Sequence, residues 1–274
     1  MKTTYTFQEE IQLDPINLPR AALRFSQEIA YPALDVGGSL TQLDALADRA
    51  KRSVHLDKPV TSQAHGLAHF LFQQQGFQGN VRNYNDPGNS YLNEVLERRL
   101  GIPISLSVVF LAVAERIGLP AEGIGLPGHF IVSVQGEDGP LFLDPFHGGR
   151  QLSVIECARL VELSTGISGP FKPDWLRSSP PEDILARMLY NLRNIYIQQD
   201  KWRMALPVVE RLRLLQPDNP DHLRDLGTIH NQNGARRQAI EFYERYLAFA
   251  PEAADANLVR RNLEQTAYKL AKRN

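Results

Sequence analysis

Cysteine is nearly absent from this chain of 274 residues: Cys157 is the only one. No intramolecular disulfide can form, and no cage of thiolates can hold a metal. Such sparse cysteine fits a reducing compartment, and a cytoplasmic location is the expectation. Long apolar runs are missing as well. The longest, Ile104 to Ala114, is interrupted by serines and falls far short of the roughly 20 residues that cross a bilayer. The opening residues, MKTTYTFQEEIQLD, lack the charged-then-apolar layout of a secretory leader. A soluble protein with no membrane partner is therefore expected. Charge of one sign is also lacking, with a formal balance of −1. Residues 1–181 hold 15 Lys and Arg against 19 Asp and Glu; residues 182–274 hold 15 against 12. Neither part has the basic density of a nucleic-acid footprint, so direct nucleic-acid binding is not expected.

What is present is a chain with 43% hydrophobic residues, enough to bury substantial cores without disulfide or metal staples. The length suits one large domain or two ordinary ones. Residues 20–56 read as helical, interrupted at Tyr31-Pro32 and resuming after Gly37-Gly38, with Ser39 or Thr41 as the cap. A third helix is predicted over Ser62 to Gln75. The stretch GNVRNYNDPGNS that follows is a loop by its turn chemistry. Leu92, Val95, Leu96 and Leu100 mark one face of a helix that Gly101 ends. Pro103 then sits where proline is best tolerated, at the first position of the next helix. That helix is apolar on nearly every side until Glu115-Arg116, which makes it a central, buried element. From His129 to Val134 the alternation has period two, GEDGP supplies a hairpin turn, and Leu141 to Leu143 returns as a second strand.

Residues 164–181, STGISGPFKPDWLRSSPP, form the most linker-like stretch. Beyond it, Leu192, Tyr196, Ala205 and Pro217 recur 34 residues later as Leu226, His230, Ala239 and Pro251. A 34-residue period, with a small residue where two helices approach and a proline closing each unit, is the tetratricopeptide pattern. Gly227 and Gly234 of the second copy are Arg193 and Asp200 in the first, so the first copy is degenerate. An ordinary helical hairpin bundle is the alternative, since repeat arrays need about three units. Residues 254–272 can supply a fifth helix that covers the open end.

Several residues carry chemistry in principle. His129 and Asp144 fall on neighbouring antiparallel strands, close enough for the carboxylate to orient the imidazole; a structural pair would look the same. Ser105 lies in the first turn of the buried helix, where the dipole favours a developing anion, yet first-turn serines are routine helix-start residues. As a nucleophile it would need His129 to take its proton. Cys157 sits in VIECARLVEL on a helical face and reads as inert packing. His65 and His69 are four apart on a helix but have no glutamate between them and no third ligand, so no metal and no cofactor are expected. His147, before Gly148-Gly149, is too close in sequence to Asp144 to be judged. In the loop Asn83–Asn89, the side chains of Asn85, Asp86 and Asn89 offer a recognition surface, or else a network that satisfies its own backbone.

The segments GNVRNYNDPGNSYLNEVLERRLGIPISLSVVFLAVAERIGLPAEGIGLPGHFIVSV and LFLDPFHGG resemble the bacterial transglutaminase-like, tetratricopeptide-containing proteins named after the invasion-gene regulator SirB. EIAYPALD upstream and the downstream repeats fit the same family, and a related module occurs in F-box proteins, in a context of substrate recognition. The resemblance implies an α+β, papain-type transglutaminase-like domain with a helical N-terminal part over residues 1–181, its linker starting near 164. An all-α tail of two tetratricopeptide repeats plus a capping helix follows over 182–274. Enzymes of this superfamily use a cysteine at the start of the central helix, then a histidine and an aspartate. Ungapped alignment from GLPA places Pro103 at the cysteine's position, with His129 and Asp144 at the other two. The expected function is that of a non-catalytic pseudoenzyme, a regulatory adaptor binding a protein or peptide through its tail. The alternative is a serine-dependent hydrolase or acyltransferase using Ser105, His129 and Asp144.

Overall fold

The computed structural model describes residues 5–166 and 169–272. It divides into two compact units. The first holds the residues up to Gln27 and Tyr31–Met188; the second holds Glu28–Ala30 and everything from Leu189 on.

The first unit opens with a single capped turn, α1 (Phe7–Glu10), and two helices, α2 (Leu18–Ile29) and α3 (Val36–Ser53). Gly37 and Gly38 do not break the chain as their composition suggests. They lie inside α3, whose N-cap is Asp35, and Ser39 and Thr41 bond back to the carbonyls of Asp35 and Gly37 instead of capping. The reason is steric: a Cβ at Gly38 would stand 2.7 Å from the Asp35 carboxylate, so only glycine lets that side chain fold over the first turn. Helix α4 (Val60–Ala68) starts two residues before the predicted third helix and continues as a π-helical turn over His69–Gln74. Strand β1 (Gln78–Gly79) leads into the Asn-rich loop. Helix α5 (Leu92–Arg98) follows, then β2 (Leu100–Gly101), which pairs in parallel with β1.

Helix α6 (Pro103–Ile117) is the centre of the unit, with 12 of its 15 residues buried. Proline at its first position costs no hydrogen bond, and Gly118 ends it in the left-handed conformation at φ 78°. A four-stranded antiparallel meander packs beside it: β3 (Ala121–Ile124), β4 (Ile131–Gly136), β5 (Gly139–Asp144) and β6 (Arg150–Leu152). The β4 strand is buried over its first four residues, on both faces. On one side, Ile131, Phe142 and Leu152 join Cys157, Leu160 and Val161 of α7 (Val154–Thr165) in a common cluster. His129 precedes β4 instead of opening it, since the chain turns tightly through Gly128 at φ 70°.

The stretch expected to be a linker is only partly one. Residues 167–168 lie outside the described residues, but Phe171, Trp175 and Leu176 pack on the α7 cluster, and Ser178 bridges to Ile124. Three large apolar side chains outweigh the Gly-Ser-Pro composition around them.

Helix α8 (Pro181–Gln198) runs through the boundary between the units. The second unit continues with α9 (Trp202–Leu215), α10 (Asp221–Gln232), α11 (Arg236–Phe249) and α12 (Ala256–Ala271). Helices α9 and α11 start and end 34 residues apart, with Ala205 and Ala239 both fully buried. A Cβ on Gly227 would lie 2.5 Å from the Tyr243 ring, so α10 and α11 touch through that glycine. Among the described residues, no helix is long and apolar enough to cross a membrane.

Candidate functional site

The site forms where the sheet's ladder ends. The β4–β5 register pairs Val132 with Leu143, which leaves His129 and Asp144 just beyond the ladder, at adjacent strand termini. His129 Nε2 lies 3.0 Å from Asp144 Oδ1. Asp144 is fully buried, and it also begins the single turn Pro145–His147. The D-P-F-H spacing therefore brings a third group in: His147 Nδ1 lies 2.6 Å from the other carboxylate oxygen, Oδ2. The β5–β6 register pairs Asp144 with Arg150, whose Nε stands 3.7 Å from Oδ2. Burial alone pushes the Asp144 carboxyl up. The hydrogen bonds and charge of His129, then those of His147, outweigh that and hold it below its ordinary 3.8. An ionised carboxylate only accepts, so both contacting ring nitrogens are donors and the imidazoles direct their second nitrogens away from Asp144.

Aromatic rings wall the pair. Phe146 meets His129 edge-on at 6.2 Å, and Tyr84 meets Phe146 edge-on at 5.9 Å. The two imidazoles stack at 5.8 Å with 26° between their planes. The turn can sit this close because β1 carries Gly79: a Cβ there would lie 2.6 Å from both the Phe146 ring and its carbonyl.

From α8, Arg187 reaches the turn that carries His129. Its Nη2 donates to the carbonyls of Leu126 (2.7 Å) and His129 (2.5 Å), and its guanidinium lies 5.4 Å from the centre of the Phe130 ring. No carboxylate pairs with it among the described residues. Burial lowers the Arg187 pKa and raises that of Tyr84, whose phenol faces the guanidinium's charge. Sequence reasoning missed Arg187 and Phe146 and left His147 unjudged. The last could have been suspected from its three-residue spacing to Asp144 across a proline turn; nothing local marks Arg187, 58 residues from His129.

The other candidates are placed elsewhere. Ser105 is fully buried and acts as a helix-start residue. Its hydroxyl donates to the Asn89 carbonyl at 2.6 Å and accepts from the Ile102 N–H at 3.1 Å. No hydrogen bond joins it to His129 among the described residues. The Asn-rich loop is largely self-satisfied. The fully buried Asn89 amide donates to the carbonyls of Asn83 and Tyr84, and its oxygen accepts from Asn80. Asp86 pairs with Arg98 at 2.7 Å and accepts from the Gly88 N–H. Asn85 is the exposed one of the three binding candidates. Cys157 is buried, its thiol pushed up to about 11 by burial and by the nearby charges of Asp144 and Glu156. At neutral pH that leaves almost no thiolate. His65 and His69 are exposed and join no third metal-ligating residue among the described residues.

Residues 39–190 match the family model of the transglutaminase-like superfamily, and residues 192–264 match that of the tetratricopeptide repeat. The chain belongs to the transglutaminase-like superfamily. The transglutaminase-like match falls almost wholly within the α+β first unit, and the tetratricopeptide match falls within the all-α second unit. The chain is similar to a UPF0162 protein of Xylella fastidiosa, 36% identical over 236 residues that cover 85% of this chain and 84% of the relative. A UPF0162 protein of Vibrio cholerae is 26% identical over 259 residues, covering 93% and 94%. F-box only protein 21 of Mus musculus is 39% identical over a shorter stretch of 103 residues, 35% of this chain and 16% of that protein.

Proposed function

We propose that this chain is a SirB-type regulatory adaptor of the cytoplasm: a transglutaminase-like scaffold that captures a protein or peptide through its helical repeats and performs no covalent catalysis. The observation that carries the reading is the start of α6. Superfamily enzymes need a nucleophile there, and this chain has Pro103, with Ser105 two residues on. Two residues turn a side chain about 200° around a helix, away from the face that Pro103 occupies. The Ser105 hydroxyl has one proton, and it goes to the Asn89 carbonyl, not to an imidazole. A working serine needs a base in contact, a group behind the base and donors for the oxyanion. Here only the base and the group behind it are assembled. The tetratricopeptide repeats supply the stacked helices that bind extended partners in such arrays, and the stretch shared with F-box only protein 21 is in keeping with a recognition role.

Two measurements test this. A fluorophosphonate probe on the full chain is expected to leave it unlabelled; labelling that disappears in Ser105→Ala, with the fold intact, favours the serine hydrolase instead. Partners captured from lysate by the full chain are expected to be lost by a chain ending at Gln198 that still melts cooperatively. Retained capture would move the binding role to the first unit.

A further inference from the structure

Among the described residues, one group of three or more metal-ligating side chains converges: His129, Asp144 and His147, whose ligand atoms all lie within 4.8 Å of one another. The group gathers two imidazole nitrogens and a carboxylate, the donor set of an open zinc-type centre. We propose that His129 Nε2, an Asp144 carboxylate oxygen and His147 Nδ1 form a three-ligand site for a divalent first-row cation of the zinc class, with the remaining position open to water.

Four features of the geometry support it. First, the separations are close to what is needed. Donors around a tetrahedral zinc stand about 3.4 Å apart. The present contacts, made to different carboxylate oxygens, are 3.0 and 2.6 Å, and no two of the three ligand atoms lie beyond 4.8 Å, so each separation changes by less than about 1.5 Å. Second, the side that must move can move: the His147 side chain is 43% exposed, while His129 and Asp144 are held in the core. Third, each ring can give up its proton at the carboxylate without losing it. No hydrogen bond joins His129 Nδ1 or His147 Nε2 to the protein among the described residues, so either nitrogen can carry the proton after a tautomer change. Fourth, the Asp144–His147 pair is spaced by three residues on one turn stiffened by Pro145 and closed by Gly148 at φ 76°. Two of the three ligands are thereby set by local backbone. Arg150 opposes the site: its positive charge lies 3.7 Å from Asp144 Oδ2 and weakens attraction for a dication. That opposition gives the proposal a signature no hydrogen-bonded triad would show.

The test is calorimetric titration of the chelator-stripped full chain with zinc chloride, repeated with cobalt chloride for the visible bands of a tetrahedral cobalt centre. One equivalent is expected to bind. His147→Ala, a substitution at a half-exposed side chain that leaves the core untouched, is expected to weaken binding by about 100-fold or more, as is Asp144→Asn. Arg150→Gln should tighten it about 5- to 10-fold. His65→Ala should change nothing. Absence of binding by the wild-type chain overturns the proposal. So does binding that survives His147→Ala undiminished, or binding lost in His65→Ala.

Discussion

Replacing Arg187 by methionine keeps the aliphatic stem and removes the guanidinium that ties α8 to the turn bearing His129. Two hydrogen bonds from a charged donor are lost, to the carbonyls of Leu126 and His129. Each is worth about 1.5–3 kcal/mol, and the contact over Phe130 adds about 0.5–1 kcal/mol. Against this, the variant no longer has to desolvate a half-buried cation. The net expectation is a loss of about 2–4 kcal/mol, a large share of the roughly 5–15 kcal/mol that holds a domain folded. The local probe is the His129 amide, which donates to the Leu126 carbonyl at 3.2 Å within the same turn. Its hydrogen-exchange protection should fall by about 30- to 1,000-fold, the same energy at about 1.4 kcal/mol per decade. Arg187→Lys should recover only part of it, because an ammonium has no planar fork to reach two carbonyls at once. Protection that stays within about 3-fold of wild type in Arg187→Met, with unchanged thermal unfolding, would refute the assignment of Arg187 as the latch of this turn.

Gly79→Ala should destabilise the first unit by about 1–3 kcal/mol, because the new Cβ meets the Phe146 carbonyl, which is backbone and cannot step aside; a thermal melt at or above the wild-type midpoint would count against that close approach. The Asp144 carboxyl has its pKa lowered in the folded state, so its contribution is present above the ordinary 3.8 and is lost as pH falls through the folded value. Urea unfolding between about pH 2 and 5 should therefore show a steeper acid loss in wild type than in Asp144→Asn, and parallel curves would contradict the ionised, doubly bonded carboxylate.

Much of the architecture was readable from residue order. The run after Pro103, apolar but for Ser105 and Ser107, reads as a buried helix, and the 34-residue spacing of Ala205 with Ala239 puts two helical hairpins in register. Local composition misled in two places, at Gly37-Gly38 and at residues 164–181. In each, a tertiary contact decided: the Asp35 side chain over the first turn of α3, and Phe171 and Trp175 on the α7 cluster. The site was half legible. The hairpin reading brings His129 and Asp144 to neighbouring strand ends, but their contact also needs the turn at Gly128, since both lie beyond the last β4–β5 pair. His147 depends on Asp144 ending its strand and starting a helical turn at the same residue, a boundary that pattern reasoning places only to within a few positions. Arg187 is invisible to such reasoning, because its partners are backbone carbonyls and leave no complementary residue type in the sequence.

The placement of Arg187 also bears on where this protein divides. By composition the break falls in the turn-rich stretch ending at Pro181, and by compactness it falls after Met188. Those seven residues, 182–188, lie in the first half of α8, and they include Arg187, which fastens the His129 turn. Ile184 belongs there too: a Cβ on Gly123 of β3 would lie 3.0 Å from its Cδ1. A chain cut at 181 would therefore strip the transglutaminase-like domain of its latch and uncover part of β3. Any loss of binding by such a fragment would then report damage to the first unit as readily as removal of the repeats. A cut after Gln198 keeps the whole of α8, so Arg187 and Ile184 stay in place and that source of damage is removed from the comparison.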